Sequence, residues 1–456
     1  MTTGAHRPLW RLFFYLGVSS LILALLSCGG GGGSAGSNQG NNTTADTPVW
    51  ASTSVTPYSP LFNYAAGDIN GDGLEDVIVS GWIAVGGDYT GSPNPGHGGW
   101  SGHYNPKMTV RVLIQQSDGR LRDDTAQWIN DNQIWGSNRV LIADLDGDGG
   151  PDIVLPGFQD TGDFAPVPSV IYWHAGDHYV RDNSALPTPV WAHGGCLLDI
   201  DQDGRLDILM GTGTGGVWHN QGGRNFVFDN GAIDNAGASC TSDINPASGQ
   251  QMVVSGNNYS NDGKRDNIYR LSNNGQRLSS FGLPGTELAV DTDDTGLLLV
   301  DIDGDGLKDL VVSGIGPSGK RRVYRNTGDW SFVDYSSQWL VGVDTLSYNQ
   351  VTSRTLTVKS AQYVFLSGAE ADTVFSLSEH GLTPVRPDRF VSVARQISTS
   401  KGFSYAADDY QSGFVYQSTA LGGFGLLAPV HIKNTLYPEV NFPPSCTVMQ
   451  FYSAQY

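Results

Sequence analysis

Asp301, Asp303 and Asp305 stand at alternate positions, Gly304 and Gly306 follow the last two of them, and a fourth carboxylate comes at Asp309. The glycines permit a tight turn in which the carboxylates converge. So many negative oxygens at one point repel one another unless a cation sits among them. A flexible all-oxygen cage suits Ca2+ better than softer metals. The apolar run Leu310-Val-Val-Ser-Gly314 follows at once, and Val312 stands where a helix-flanked calcium hand needs a bidentate Glu. The loop is therefore expected to join two strands.

The same frame recurs along the chain. Asp68, Asn70, Asp72 and Asp76 lead into Val77-Ile-Val-Ser-Gly81, and Asp144, Asp146, Asp148 and Asp152 lead into Ile153-Val-Leu-Pro-Gly157. Asp199, Asp201, Asp203 and Asp207 lead into Ile208-Leu-Met-Gly211. Worn copies keep the strand and lose the acids: Asp243 and Asn245 precede Met252-Val-Val-Ser-Gly256, and Tyr363-Val-Phe-Leu-Ser-Gly368 keeps the strand alone. A faint last unit is expected around residues 404–416. After each apolar run come an often aromatic strand, a polar Gly turn and a further strand, as in Arg322-Val-Tyr-Arg-Asn-Thr-Gly328. Four short antiparallel strands per unit is the content of one propeller blade, and self-similarity at this spacing indicates an array of such units.

The repeated acidic loop running into an apolar strand that ends in Gly resembles the FG-GAP/VCBS repeat family, whose integrin α-subunit members form a propeller. The likeness covers roughly residues 60–430. It implies an all-β fold: a seven-bladed β-propeller of four-stranded antiparallel blades, with calcium loops between first and second strands. It also implies about four Ca2+ ions, mainly structural, held by the first, third, fifth and ninth side chains of each loop and the main-chain carbonyl of the seventh. The implied ligands are Asp68, Asn70, Asp72, Leu74 and Asp76; Asp144, Asp146, Asp148, Gly150 and Asp152; Asp199, Asp201, Asp203, Arg205 and Asp207; and Asp301, Asp303, Asp305, Leu307 and Asp309. The third loop has Gln202 where the others have Gly, and the first has Asn70 for Asp; neither change removes an oxygen donor.

The chain of 456 residues has 60 glycines and a formal charge of −19. Fifteen Asp side chains lie in the four intact loops, and four Ca2+ would bring the charge to −19 + 8 = −11. Much of the acidity is thus ligand charge, and such a surface excludes nucleic acid as a partner. At the N-terminus, His6, Arg7 and Arg11 precede an apolar run over residues 12–26, the pattern of an export signal. The run ends at Leu25-Leu-Ser-Cys28, which resembles a bacterial lipobox. Residues 1–27 are read as a lipoprotein signal peptide with Cys28 as the lipidation site, 28–46 as a Gly/Ser/Asn-rich tether, and 47–456 as one propeller domain. The expected contact with membrane, by resemblance the bacterial outer membrane, is through the lipid anchor alone. Cys196 and Cys240 each lie three residues before the first Asp of their units, where Ala65, Leu141 and Leu298 stand elsewhere. That is a buried inner-strand position, so packed, unpaired thiols are expected.

If metal loops occupy one face, the opposite face gathers the connections between second and third strands and between units. Residues 82–107 and 158–168 enlarge that face. Trp100, Asn138, Arg139, Trp191, His193 and Asn349 combine aromatic faces with hydrogen-bonding groups, as a glycan site requires. The leading expectation is a surface-anchored, calcium-stabilised module that binds glycan or protein there. The alternatives are a polysaccharide lyase acting on uronate polymers and an envelope assembly scaffold. A lyase needs a neutraliser for the sugar carboxylate, for which Arg139 or Arg395 serves. It also needs a base, for which the candidates are His193, His97, His103 and Tyr104. No nucleophile elbow, zinc-type His pair or phosphate-cradling loop is visible.

Overall fold

The computed structural model describes the strands, turns and short helices given below; residues 1–50, 158–167, 256–266, 341–352, 386–413 and 432–448 are the longest stretches outside the described residues. Five antiparallel sheets are each built from strands consecutive in the chain, and a sixth, the first, is interrupted by a separate hairpin between its second and third strands. From inner to outer strand, blade 1 comprises Phe62–Gly67, Asp76–Gly81, Met108–Gln115 and Leu121–Asp123, with Gln133–Ile134 added beside the third. Blade 2 comprises Leu141–Ala143, Asp152–Leu155, Val170–His174 and Tyr179–Asp182. Blade 3 comprises Gly195–Leu198, Asp207–Met210, Gly216–Asn220 and Phe226–Asp229. Cys240–Ile244, Gln251–Ser255, Asn267–Leu271 and Arg277–Gly282 form blade 4, and Asp294–Val300, Asp309–Gly314, Arg322–Asn326 and Phe332–Asp334 form blade 5. Blade 6 comprises Ser353–Val358, Ala361–Leu366, Thr373–Ser378 and Gly381–Pro384.

A further four-stranded sheet is composite: Phe414–Ser418, Gly423–His431 and Met449–Gln455 are completed by Ala51–Val55 from the other end of the chain. Its first described strand, Phe414–Ser418, overlaps the last unit expected around residues 404–416, of which 404–413 lie outside the described residues. No acidic motif marks this sheet. Tyr64 stacks on Phe414 with ring centroids 5.2 Å apart, and Tyr416 donates its hydroxyl to Gly119 O at 2.7 Å. These contacts join the composite sheet to blade 1 and close the ring of a β-propeller of four-stranded antiparallel blades.

The pattern of burial explains why these segments form strands. Second strands such as Asp152–Leu155 and Asp207–Met210 are buried at every residue, because both their faces meet neighbouring blades. A short continuous apolar run is the sequence sign of such a strand. Outer strands are far more exposed: Phe226 is buried while Val227 and Phe228 are not, and Arg277–Gly282 is exposed throughout. Two one-turn helices, Thr125–Trp128 and Ser336–Trp339, each bury a Trp. No helix among the described residues is long and apolar enough to cross a membrane.

The core lies between blades. Ile69 packs with Ile153, Tyr172 and Tyr179 of blade 2, Leu145 with Ile208, Trp218 and Phe226 of blade 3, and Ile200 with Val253 and Tyr269 of blade 4. Ile302 packs likewise with Val364 and Phe375 of blade 6. All four are the second residue of an acidic loop. Each loop therefore carries an apolar plug for the next blade between its first two carboxylates.

Candidate metal centres

The acidic loops join inner to second strands in blades 1, 2, 3 and 5, as the spacing predicts. Their geometry repeats. The first Asp accepts two backbone N–H bonds across the turn: Asp68 from Asp72 and Gly73 at 3.0 and 2.9 Å, and Asp301 from Gly304 and Gly306 at 2.8 and 3.0 Å. Gly304 and Gly306 take φ of 78° and 87°, conformations that cost a side-chain-bearing residue energy. Gln202 adopts φ 58° at the position of Gly304 and donates its side-chain amide to Gly249 O of blade 4 at 2.8 Å. That bond offsets the strain of a non-glycine residue there. Gly150 answers a different need: a Cβ on it would lie 1.9 Å from His174 Nδ1.

The ninth Asp is the anchor. Asp76, Asp152, Asp207 and Asp309 are at most 1% exposed. One oxygen of each accepts from the second residue of its own loop, as Ile302 N to Asp309 at 2.9 Å. The other accepts from the third strand, from Gln115, His174, Asn220 and Asn326 N at 2.7, 2.8, 2.8 and 2.9 Å. Burial pushes Asp76 up to about 7, and Asp152 and Asp309 up to about 6; the backbone donors oppose this, and the other loop carboxylates reinforce it. Charge at these positions is costly without a counter-ion.

Carboxylate oxygens of Asp144, Asp146 and Asp152, of Asp199, Asp201 and Asp203, and of Asp301, Asp303 and Asp309 converge to within 4.8 Å of one another. The first, third and ninth positions meet in blades 2 and 5, while Asp148 and Asp305 stay outside those groups. In blade 1, Asn70 stands in the third position and donates to Asp72 at 3.0 Å. The seventh residues Leu74, Gly150, Arg205 and Leu307 donate N–H to the fifth carboxylate, at 2.8, 2.8, 2.9 and 2.9 Å. An all-oxygen donor set with acids that resist ionisation fits a hard dication such as Ca2+. Protein cations temper the charge from outside: Arg224 reaches Asp146 at 2.7 Å, and Arg325 reaches Asp303 and Asp305 at 2.6 and 2.8 Å. In the worn fourth unit Lys308 Nζ lies 2.8 Å from Asp243, a fixed positive charge in place of an ion.

Amide side chains at strand ends, Asn220 and Gln115 on third strands and Gln251 on a second strand, tie successive blades together, a role the motif does not announce. Asn220 donates to Leu145 O at 2.8 Å, Gln251 to Asp199 O at 3.1 Å, and Gln115 to Gln417 O at 2.9 Å. The signal available in sequence was an amide at one end of each of these strands. A shallow cleft of about 510 Å3 between Asp301–Gly304 and residues 360–363 and 376–378 separates the blade 5 loop from blade 6.

The thiol expectation is corrected. Cys196 and Cys240 form a disulfide with Cα atoms 5.6 Å apart. Cys196 is buried and Cys240 half-buried; the adjacency of their inner strands across the blade boundary brings the two sulfurs together. Cys446 and Cys28 lie outside the described residues.

Of the residues expected on the opposite face, Arg139 is described. It sits just before the inner strand of blade 2, and burial pulls its guanidinium down to about 10. Trp100, His103 and Tyr104 lie on Gly99–Asn105, which pairs with Asp88–Asn94 in a separate two-stranded hairpin. That hairpin leaves the second strand of blade 1 at the end away from its acidic loop. His97, Asn138, Trp191, His193, Asn349 and Arg395 lie outside the described residues.

No family model matches the chain, and no curated protein matches it. Among solved structures, a putative 6-phosphogluconolactonase from Bacteroides uniformis is similar with TM-score 0.43 at 10% identity, covering 72% of this chain and 84% of its own. A protein from Lactobacillus plantarum is similar with TM-score 0.40 at 13% identity, covering 74% and 90%. BBS1N in complex with ARL6DN is similar with TM-score 0.41 at 12% identity, covering 90% and 97%.

Proposed function

We propose that the chain is a seven-bladed, calcium-stiffened propeller of the FG-GAP/VCBS kind, acting as an exported binding module for a glycan or protein. The composite sheet of residues 51–55 and 414–455 serves as the seventh blade. Ca2+ in the loops of blades 1, 2 and 5 neutralises converging carboxylates and fixes the turns that plug one blade into the next. The observation that supports this reading is the engagement of the loops by the scaffold: their ninth carboxylates are buried and hydrogen-bonded, and their second residues are core. A metal so enclosed stiffens the ring, and partner recognition falls to the opposite face. There the 82–107 insertion raises its own hairpin and Arg139 supplies a desolvated positive charge suited to an acidic sugar or a carboxylate. Cys28 and the tether after it hold the propeller off a membrane through lipid alone.

The test is incubation of the purified protein with a panel of acidic and neutral polysaccharides. Retention without cleavage is the expected result. New absorbance from unsaturated uronates would replace this reading with the lyase, and neither outcome on any polymer would leave a protein ligand or the scaffold role.

A further inference from the structure

The loop of blade 3 differs from the others in its donors. Directly across from each ninth Asp, one step past the paired residues of the second and third strands, stand Ile114 in blade 1, Trp173 in blade 2, His219 in blade 3 and Arg325 in blade 5. His219 therefore brings an imidazole to a site that is all-oxygen elsewhere.

Its Nδ1 lies 3.4 Å from Asp207 Oδ2 and 3.9 Å from Asp201 Oδ2, and these three residues offer ligand atoms within 4.8 Å of one another. Ligands bonded at about 2.1 Å to a tetrahedral ion stand roughly 3.4 Å apart, so the spacing is that of a small dication. Asp201 Oδ1 is a buried atom without a hydrogen-bond partner, and the buried Nδ1 of His219 faces only the Asp207 and Asp201 carboxylates. On the far side of the ring, Nε2 lies 3.9 Å from Asp229 Oδ2. A small side-chain rotation brings this carboxylate within hydrogen-bond reach of the second nitrogen, the arrangement that orients a metal-bound imidazole. Within the loop Arg205 pairs with Asp203, as Arg325 pairs with Asp303 and Asp305 in blade 5. Neutral imidazole is a poor ligand for Ca2+ and a good one for first-row transition ions.

We propose that the blade 3 loop holds a first-row transition dication through Asp201, Asp207 and Nδ1 of His219, with Asp229 orienting the ring. This goes beyond the calcium reading and needs only residues of blade 3. The rival is an imidazolium that simply neutralises the two Asp.

Co2+ is the probe. Chelator-stripped protein is loaded with Co2+ in the presence of excess Ca2+ and passed through gel filtration, and both metals are counted in the same fractions. The expected result is one retained Co2+ per chain, with visible d–d absorption, displaced by Zn2+ and not by Ca2+. His219→Gln should abolish retention while leaving the Ca2+ count and the circular dichroism unchanged. Asp229→Asn, which keeps all three ligand atoms, should weaken Co2+ binding about 10–100-fold. Failure of the wild type to retain Co2+, or equal retention by His219→Gln, overturns the proposal. If His219→Gln does not fold, Asp229→Asn decides it: affinity equal to the wild type's overturns the assignment. Because Ca2+ is counted separately, empty oxygen loops and an empty blade 3 site are told apart.

Discussion

The side-chain amide of Asn220 donates to the backbone oxygen of Leu145, 2.8 Å away and 75 positions earlier in the chain. The same residue's backbone N–H holds Asp207 at 2.8 Å. One Asn thus ties the acidic loop of blade 3 to that of blade 2. Its removal leaves two carbonyl oxygens, of Leu145 and Leu206, without this donor. Asn220→Ala should cost about 1–3 kcal/mol of stability, read by urea denaturation. A loss within error of zero would show that water replaces the amide freely.

Metal linkage gives the second prediction. Only the folded chain assembles the loops, so Ca2+ at about 100 times Kd should stabilise by roughly 2.7 kcal/mol per site. A chelator should lower Tm, and Asp152→Asn should remove one Ca2+ from the bound count with a smaller chelator effect. A melt indifferent to chelator would remove the structural role assigned to the ion.

The buried ninth carboxylates set the pH response of metal-free protein. Burial raises Asp76 to about 7 and Asp152 and Asp309 to about 6, above their ordinary 3.8. Between these limits the folded state binds more protons than the unfolded one, so stability is greatest below the unfolded value and falls as pH rises through 6 to 7. Chelated protein should melt higher at about pH 5 than at about pH 8. Saturating Ca2+, which requires ionised ligands, should flatten or reverse that trend. Parallel melting curves with and without Ca2+ would contradict it.

The Cys196–Cys240 bridge spans a sequence separation of 44 and joins the inner strands of blades 3 and 4. On the chain-entropy account, closing such a loop contributes about 4 kcal/mol. Reduction, or the double change Cys196→Ala and Cys240→Ala, should lower Tm without altering the Ca2+ count. Calorimetry under oxidising and reducing conditions measures it.

Ring closure gives the last. Ala51–Val55 pairs with Met449–Gln455 along five residues. A chain beginning after residue 56 exposes that strand edge and should melt lower and associate more, read by light scattering beside calorimetry.

The sequence alone determined the acidic loops, the strands after them and the repeated blade, because each depends on residues within about a dozen positions. Alternating Asp with Gly dictates a turn, and the apolar run that follows dictates a strand buried on both faces. It also placed Cys196 and Cys240 at equivalent inner-strand positions, without revealing that neighbouring inner strands bring the sulfurs together. Only the tertiary structure decided what spans blades: the Asn220 bond to Leu145, the disulfide, the meeting of residues 51–55 with 449–455, and His219 opposite Asp207. These depend on the order and register of sheets around the ring. Local spacing carries no record of that register, and the closing strand carries no motif.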